Sequence, residues 1–95
     1  MYTVVRQYSD ENASQLIDQI EKNLGDVEGI IGSVPGFVSY TLFRTAEGGV
    51  SVTVCDDKAG TDESSRRAAE WVKENVTAKT SPPTVSEGET IIQLP

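Results

Sequence analysis

The hydrophobic period of this chain switches between two and about 3.6 residues in an order that few folds accommodate. Tyr2 to Tyr8 (YTVVRQY) is β-branched and aromatic with partial alternation, which predicts a first strand. Ser9 and Asp10 then suit a helix start, with Glu11 in the first turn. Apolar residues follow at Leu16, Ile20, Leu24, Val27 and Ile31, with Ile17 and Ile30 beside them, as on one face of an amphipathic helix. Gly25 lies inside that pattern and is expected to weaken or bend the helix. The helix should stop near Gly32–Ser33, because Pro35 disfavours a helical residue before it and Pro35-Gly36 is a turn signal.

Phe37 to Arg44 (FVSYTLFR) reads as the second strand, Ala46 to Gly49 as a turn, and Val50 to Cys55 (VSVTVC) as a strictly alternating third strand. A second helix is predicted over about Asp62 to Val76, with Ala68, Ala69, Trp71, Val72 and Val76 apolar and Arg66 paired with Glu70 on its wet side. Thr77 to Thr84 is a polar loop with two prolines. Gly88 to Leu94 is expected to form the last strand, with Thr90, Ile92 and Leu94 on one face. The resulting order, β-α-β-β-α-β, is that of a ferredoxin-like α+β sandwich: a four-stranded antiparallel sheet with two helices on one face. The 95 residues make one domain, 1–95.

The sheet's second face carries its own implication. If the hairpin places Thr45 opposite Val50, then Phe43 faces Val52 and Thr41 faces Val54, an apolar face for the helices. The other face then holds Val38, Tyr40 and Leu42 beside Ser51, Thr53 and Cys55, too apolar to stand in water. A second sheet stacked on it would cover it, so a homodimer through the sheet face is expected. A domain this small, only marginally stable alone, gains from such a partner.

Composition limits the chemistry. Eight basic residues stand against 15 acidic ones, so neither nucleic acid nor an anionic membrane surface is an expected partner. No stretch is long enough to span a membrane, and the N-terminus lacks the build of a secretory signal. The single cysteine, Cys55, cannot form an internal disulfide, so a reducing cytoplasm is the simplest location. There is no histidine, which removes Ser-His-Asp and Cys-His nucleophiles and most zinc and haem ligation. Asp56-Asp57 alone offers too few oxygens for a hard cation, so no metal site is expected. None of the turn glycines has the spacing of a phosphate-binding loop.

The element order, the long first helix ending in Val34-Pro35-Gly36-Phe37 and the strand Phe37 to Arg44 resemble the dimeric α/β-barrel superfamily, and within it antibiotic biosynthesis monooxygenase-like domains. The resemblance covers nearly the whole chain. It implies sheets paired into a closed barrel and a ligand pocket between sheet and helices of each subunit. Members of the superfamily differ in activity: some oxygenate phenols or quinols without metal or flavin, and some degrade haem. The haem-degrading members use an Asn, a Trp and a His. Trp71 lies where such a Trp is expected, but there is no His and no Asn in the first strand. The resemblance therefore implies a cofactor-free monooxygenase, with no cofactor required. The alternative is a binding or interaction module without catalysis.

No catalytic residue can be assigned. The candidate ligand-binding residues are Trp71, Tyr8, Tyr40, Arg6 and Arg44. Trp71 suits a planar aromatic ligand but more often such a Trp is core. Tyr8 and Tyr40 suit hydrogen bonds to a phenolate or carbonyl, but strand aromatics usually fill a core or interface. Arg6 and Arg44 suit an anionic ligand, or else surface pairing with the excess carboxylates. Cys55, next to two carboxylates, is expected to be a packing residue, not a nucleophile. An open, polar-tipped cavity at Trp71 would favour an enzyme, and a tightly packed Trp71 a structural module.

Overall fold

The computed structural model describes residues 1–95, in the order β1 (Tyr2–Tyr8), α1 (Ala13–Glu21), α2 (Leu24–Gly32), β2 (Phe37–Arg44), β3 (Gly49–Cys55), α3 (Lys58–Asn75) and β4 (Thr84–Glu89). The four strands form one antiparallel sheet in the order β2-β3-β1-β4, the ferredoxin-like arrangement. No helix is long and apolar enough to cross a membrane.

The long first helix is in fact two. The break falls at Lys22–Asn23, ahead of Gly25, because Asn23 leaves helical geometry (φ −131°, ψ 36°) and its side-chain amide donates to the Gln19 carbonyl at 2.8 Å. An Asn amide competes with the backbone for such carbonyls, which ends one helix and starts the next. Gly25 is thereby left in the first turn of α2, where it bends nothing. Asp10 is not the cap of α1. Its carboxylate accepts from Asn12 N at 2.9 Å and from Ser81 N, so it ties the start of α1 to the loop before β4. The second long helix begins at Lys58, four residues earlier than expected, with Asp57 as its N-cap accepting from Gly60 N at 3.1 Å. Gly60 also lets α3 pass close over β3, since a Cβ there would lie 2.7 Å from Cys55 Cβ.

The last strand is also shifted. It occupies Thr84–Glu89, and the segment expected to hold it, through Leu94, lies mostly beyond it. The ladder explains this: β4 pairs only with β1, Glu89 stands opposite Tyr2, and Thr90 N donates to Met1 O at 2.9 Å as the final rung. The ladder between β4 and β1 stops at that rung. Ile91, Ile92 and Leu94 are 94%, 75% and 83% exposed.

The two sheet faces are the reverse of the expected assignment. The hairpin pairs Phe43 with Val50 and Thr41 with Val52, two residues away from the assumed register, and a bulge at Val38 brings Phe37 opposite Cys55. The helices cover the face with Arg6, Tyr8, Tyr40, Leu42, Ser51 and Thr53. The bare face carries Val5, Thr41, Phe43, Val50 and Val52, with Phe43 49% exposed. Helices select the first face because it presents two long aromatics and a long aliphatic that fill the gap to Leu16, Ile20, Val27, Ile31 and Trp71.

Glycine placement makes the fold testable. At Gly48 (φ 156°) a Cβ would lie 2.3 Å from the Tyr8 carbonyl oxygen and 2.4 Å from Ala13 Cβ, whereas at Gly29 in α2 it would meet nothing within 4 Å. Gly48→Ala should therefore cost about 2–3 kcal/mol by backbone displacement, and Gly29→Ala should add about 0.5–1 kcal/mol by helix propensity. Urea unfolding of the two variants measures both.

Candidate active site

β1 and β3 bring the site together. Arg6 projects from the middle of β1 toward α3, and antiparallel pairing sets it opposite Ser51, with Thr53 two residues further along β3. Its guanidinium is 2% exposed and is held entirely by hydroxyls. Nε donates to Ser51 Oγ at 3.2 Å, Nη2 to Thr53 Oγ1 at 2.8 Å, and Nη1 to Ser64 Oγ at 3.2 Å and Ser65 Oγ at 2.8 Å. Ser64 donates its own proton to the Thr61 carbonyl at 2.7 Å, which leaves its lone pairs for Arg6. No carboxylate lies within ion-pair distance of Arg6. A guanidinium has five N–H groups. These four bonds engage four of them, and the Tyr8 phenol lies beside the guanidinium, within its hydrogen-bonding influence.

A buried cation without a counter-ion is expensive, and neutral hydroxyls orient it without cancelling its field. That field reaches the neighbouring acids. Burial pushes the Tyr8 phenol above its usual value, and the Arg6 charge partly opposes this. Burial likewise raises Tyr40, again against the pull of Arg6. Both phenols are therefore neutral hydrogen-bonding groups at ordinary pH. Burial, together with the Asp56 and Asp57 charges, raises the Cys55 thiol, so Cys55 is a packing residue and not a nucleophile.

Two cavities adjoin this cluster. One lies at Trp71, Tyr40, Ile20 and Ile31 and holds only about 20 Å³, room for about one water molecule. Trp71 is 7% exposed and belongs to the main apolar cluster. The other is an open cleft of about 530 Å³ between β1, α3, the loop from Val76 to Pro83, and β4. That volume is in the range of small-molecule sites, about 300–1,000 Å³. Tyr8 and Val72 line both cavities and form the wall between them. Arg6 and Ser65 supply polar groups to the cleft, and Val72, Val76, Pro83 and Val85 supply apolar surface. The loop is anchored by Ser81 N on Asp10 and by Asn12 Nδ2 on the Lys79 carbonyl. The first of these bonds also holds the Asp10 carboxyl below its usual range.

Of the residues singled out from sequence, the structure brings Arg6, Tyr8, Tyr40 and Trp71 to one side of the sheet. Arg6 and Tyr8 reach the open cleft; Tyr40 borders the small cavity, and Trp71 borders that cavity and a surface pocket beside Arg66, Arg67 and Glu70, but not the cleft. Arg44 is elsewhere, at the end of β2 on the surface, bonded to Asp18 at 2.9 Å with Glu21 at 3.7 Å. The hydroxyl cradle and the loop residues Lys79 and Ser81 were not singled out. The one signal that pointed to the cradle is the Ser51-Thr53 alternation on the strand beside Arg6. No three His, Cys, Asp or Glu side chains converge as a metal site would require.

The cradle predicts a specific stability response. Breaking a buried ion pair costs about 3–5 kcal/mol because one charge is stranded. Arg6→Met strands none, leaving neutral hydroxyls that bond one another, so it should change unfolding free energy by less than about 2 kcal/mol. A larger loss in urea titration would show that the folded protein gives Arg6 a charge partner.

No protein-family model matches the sequence, and no curated protein matches it significantly. Solved structures do match it over nearly its full length. A protein of unknown function from Nitrosomonas europaea superposes with a TM-score of 0.68 at 16% identity, covering 99% of this chain and 92% of that one. A monooxygenase from Streptomyces coelicolor in complex with nanaomycin D gives 0.63 at 24% identity, over 99% and 90% of the two chains. SnoaB, a cofactor-independent oxygenase from Streptomyces nogalater, gives 0.63 at 17%, over 99% and 96%. In fold, this chain is thus similar to solved structures described as antibiotic biosynthesis monooxygenases.

Proposed function

We propose that the cleft binds a small aromatic ligand through an ionised phenol or quinol oxygen, and that the chain oxygenates it without a cofactor. The observation that supports this most is the buried Arg6 guanidinium at the cleft wall, beside the Tyr8 phenol and with no carboxylate near it. Such a group stabilises an oxyanion far more in a desolvated site than it would in water. Structural neighbours described as a monooxygenase and as a cofactor-independent oxygenase support the same reading.

The chemistry follows from what the cleft contains. Its lining has no histidine and no carboxylate, so it offers no ordinary general base. Ionisation of the phenol therefore depends on its own acidity, lowered by Arg6, with the proton passing to solvent. The phenolate places carbanion character on a ring carbon, which reacts with O2, the oxidant, to form a C–O bond. Protonation of the peroxide and loss of water, which carries away the ring hydrogen and the second oxygen atom, leaves a quinone. The phenol loses four electrons in all and O2 takes them up. Tyr8, kept neutral by burial, donates a hydrogen bond to the bound oxygen.

The rate should rise with pH to a plateau at the apparent pKa of the bound substrate. Removing a cation that favours the anion raises that pKa, so Arg6→Met should move the plateau upward by a pH unit or more and slow the plateau rate at least about 100-fold. Oxygen uptake with 1-naphthol or 1,4-naphthohydroquinone measures both. Tight binding with no protein-dependent oxygen uptake would overturn the oxygenase reading. It would leave the second reading, a non-catalytic binding module, which the packed Trp71 and the absence of a base favour.

The same reading includes a homodimer through the bare sheet face. Val5, Phe43, Val50 and Val52 make a face more apolar than water tolerates, and a second copy of it is the simplest cover. A cytoplasmic location accords with the free, buried Cys55. Sedimentation should show a dimer at micromolar concentration and a monomer for Val52→Lys. A monomeric wild-type chain would overturn this part.

A further inference from the structure

Charge is distributed oddly around the cleft. The chain carries 15 acidic residues against eight basic ones, yet no carboxylate lines the cleft, while Arg6, Lys73 and Lys79 all do. Elsewhere on the surface Arg44, Lys58, Arg66 and Arg67 are ion-paired, and Lys22 alone is not. Arg6, Lys22, Lys73 and Lys79 have no carboxylate within 4.0 Å, and three of those four converge on this one opening. Arg6 is buried, whereas Lys73, from the last turns of α3, and Lys79, from the loop, are exposed. Apolar side chains, among them Val72, Val76 and Pro83, complete the lining.

The geometry points to a ligand with two anionic centres joined by an apolar ring system: an aromatic hydroxy acid. Its phenolic oxygen meets Arg6, and its carboxylate meets Lys73 and Lys79. This rests on the reading that the cleft binds an aromatic ligand. It adds that the ligand is acidic at both ends. A neutral or singly anionic phenol would leave the two lysines without a counter-charge in a chain that ion-pairs four of its five other surface cations. Attraction between cations in the cleft and a dianion also offsets the repulsion that a chain of net charge −7 exerts on any anion approaching it.

The test uses three compounds on the full chain, measured by isothermal titration at low salt: 6-hydroxy-2-naphthoate, 2-naphthol and 2-naphthoate. 6-Hydroxy-2-naphthoate should bind about five- to tenfold tighter than 2-naphthol, a gain on the scale of two exposed ion pairs. The gain should shrink in 0.5 M salt. The Lys73→Gln/Lys79→Gln double variant should abolish it while leaving 2-naphthol unchanged. Arg6→Met should weaken 2-naphthol instead. Equal affinity of the hydroxynaphthoate and naphthol, or a gain that survives in the double variant, would overturn the second anionic centre while leaving the aromatic cleft intact. Failure of all three compounds to bind would overturn the cleft reading itself and this inference with it.

Discussion

A single guanidinium sits where β1, β3 and α3 meet, and the polar half of the molecule is arranged around it. Ser51 and Thr53 hold Arg6 from the sheet, and Ser64 and Ser65 hold it from the helix. These bonds tie α3 to the strands on this side, as apolar packing does on the other. Hydroxyls rather than carboxylates make the cradle, so the charge is fixed in place without being cancelled. Its influence is felt by Tyr8, Tyr40 and Cys55 alike.

The layer between sheet and helices is therefore divided. Toward β2 it is apolar and dense, with Trp71 among Leu16, Ile20, Val27 and Ile31, and almost no free volume. Toward β4 it is polar and open, because α3 presents Ser64, Ser65 and Ala69 there, side chains too short to fill the space. Tyr8 and Val72 form the boundary. The dense half supplies stability and the open half leaves the cleft, a division suited to a chain of this size.

Element order, turn positions and the bounds of β1, β2 and β3 could be read from the sequence because periodicity and turn chemistry are local signals. β1 and β2 fall where alternation puts them, and the ferredoxin-like order follows. Other boundaries depend on single contacts that periodicity does not encode. The split at Asn23 depends on one side-chain amide reaching a backbone carbonyl. The early start of α3 depends on Asp57 finding Gly60 N. β4 ends at Glu89 because its partner strand ends at Tyr2, a limit no pattern in Thr84–Leu94 can express.

Of the site, the sequence determined the ingredients: a strand arginine, two tyrosines, a tryptophan, no histidine, and an acidic background that makes each unpaired cation conspicuous. It also determined that the sheet would have two partly apolar faces, since alternation fixes which side chains share a face. Only the tertiary structure decided which face the helices cover, because two similar stripes compete and the choice rests on how well long side chains fill the gap. It alone separated Arg6 from Arg44, burying one under α3 and sending the other to Asp18, although both are strand arginines. And it alone gathered Lys73 and Lys79 beside Arg6, since residues on a strand, a helix and a loop become neighbours only when the chain folds back on itself.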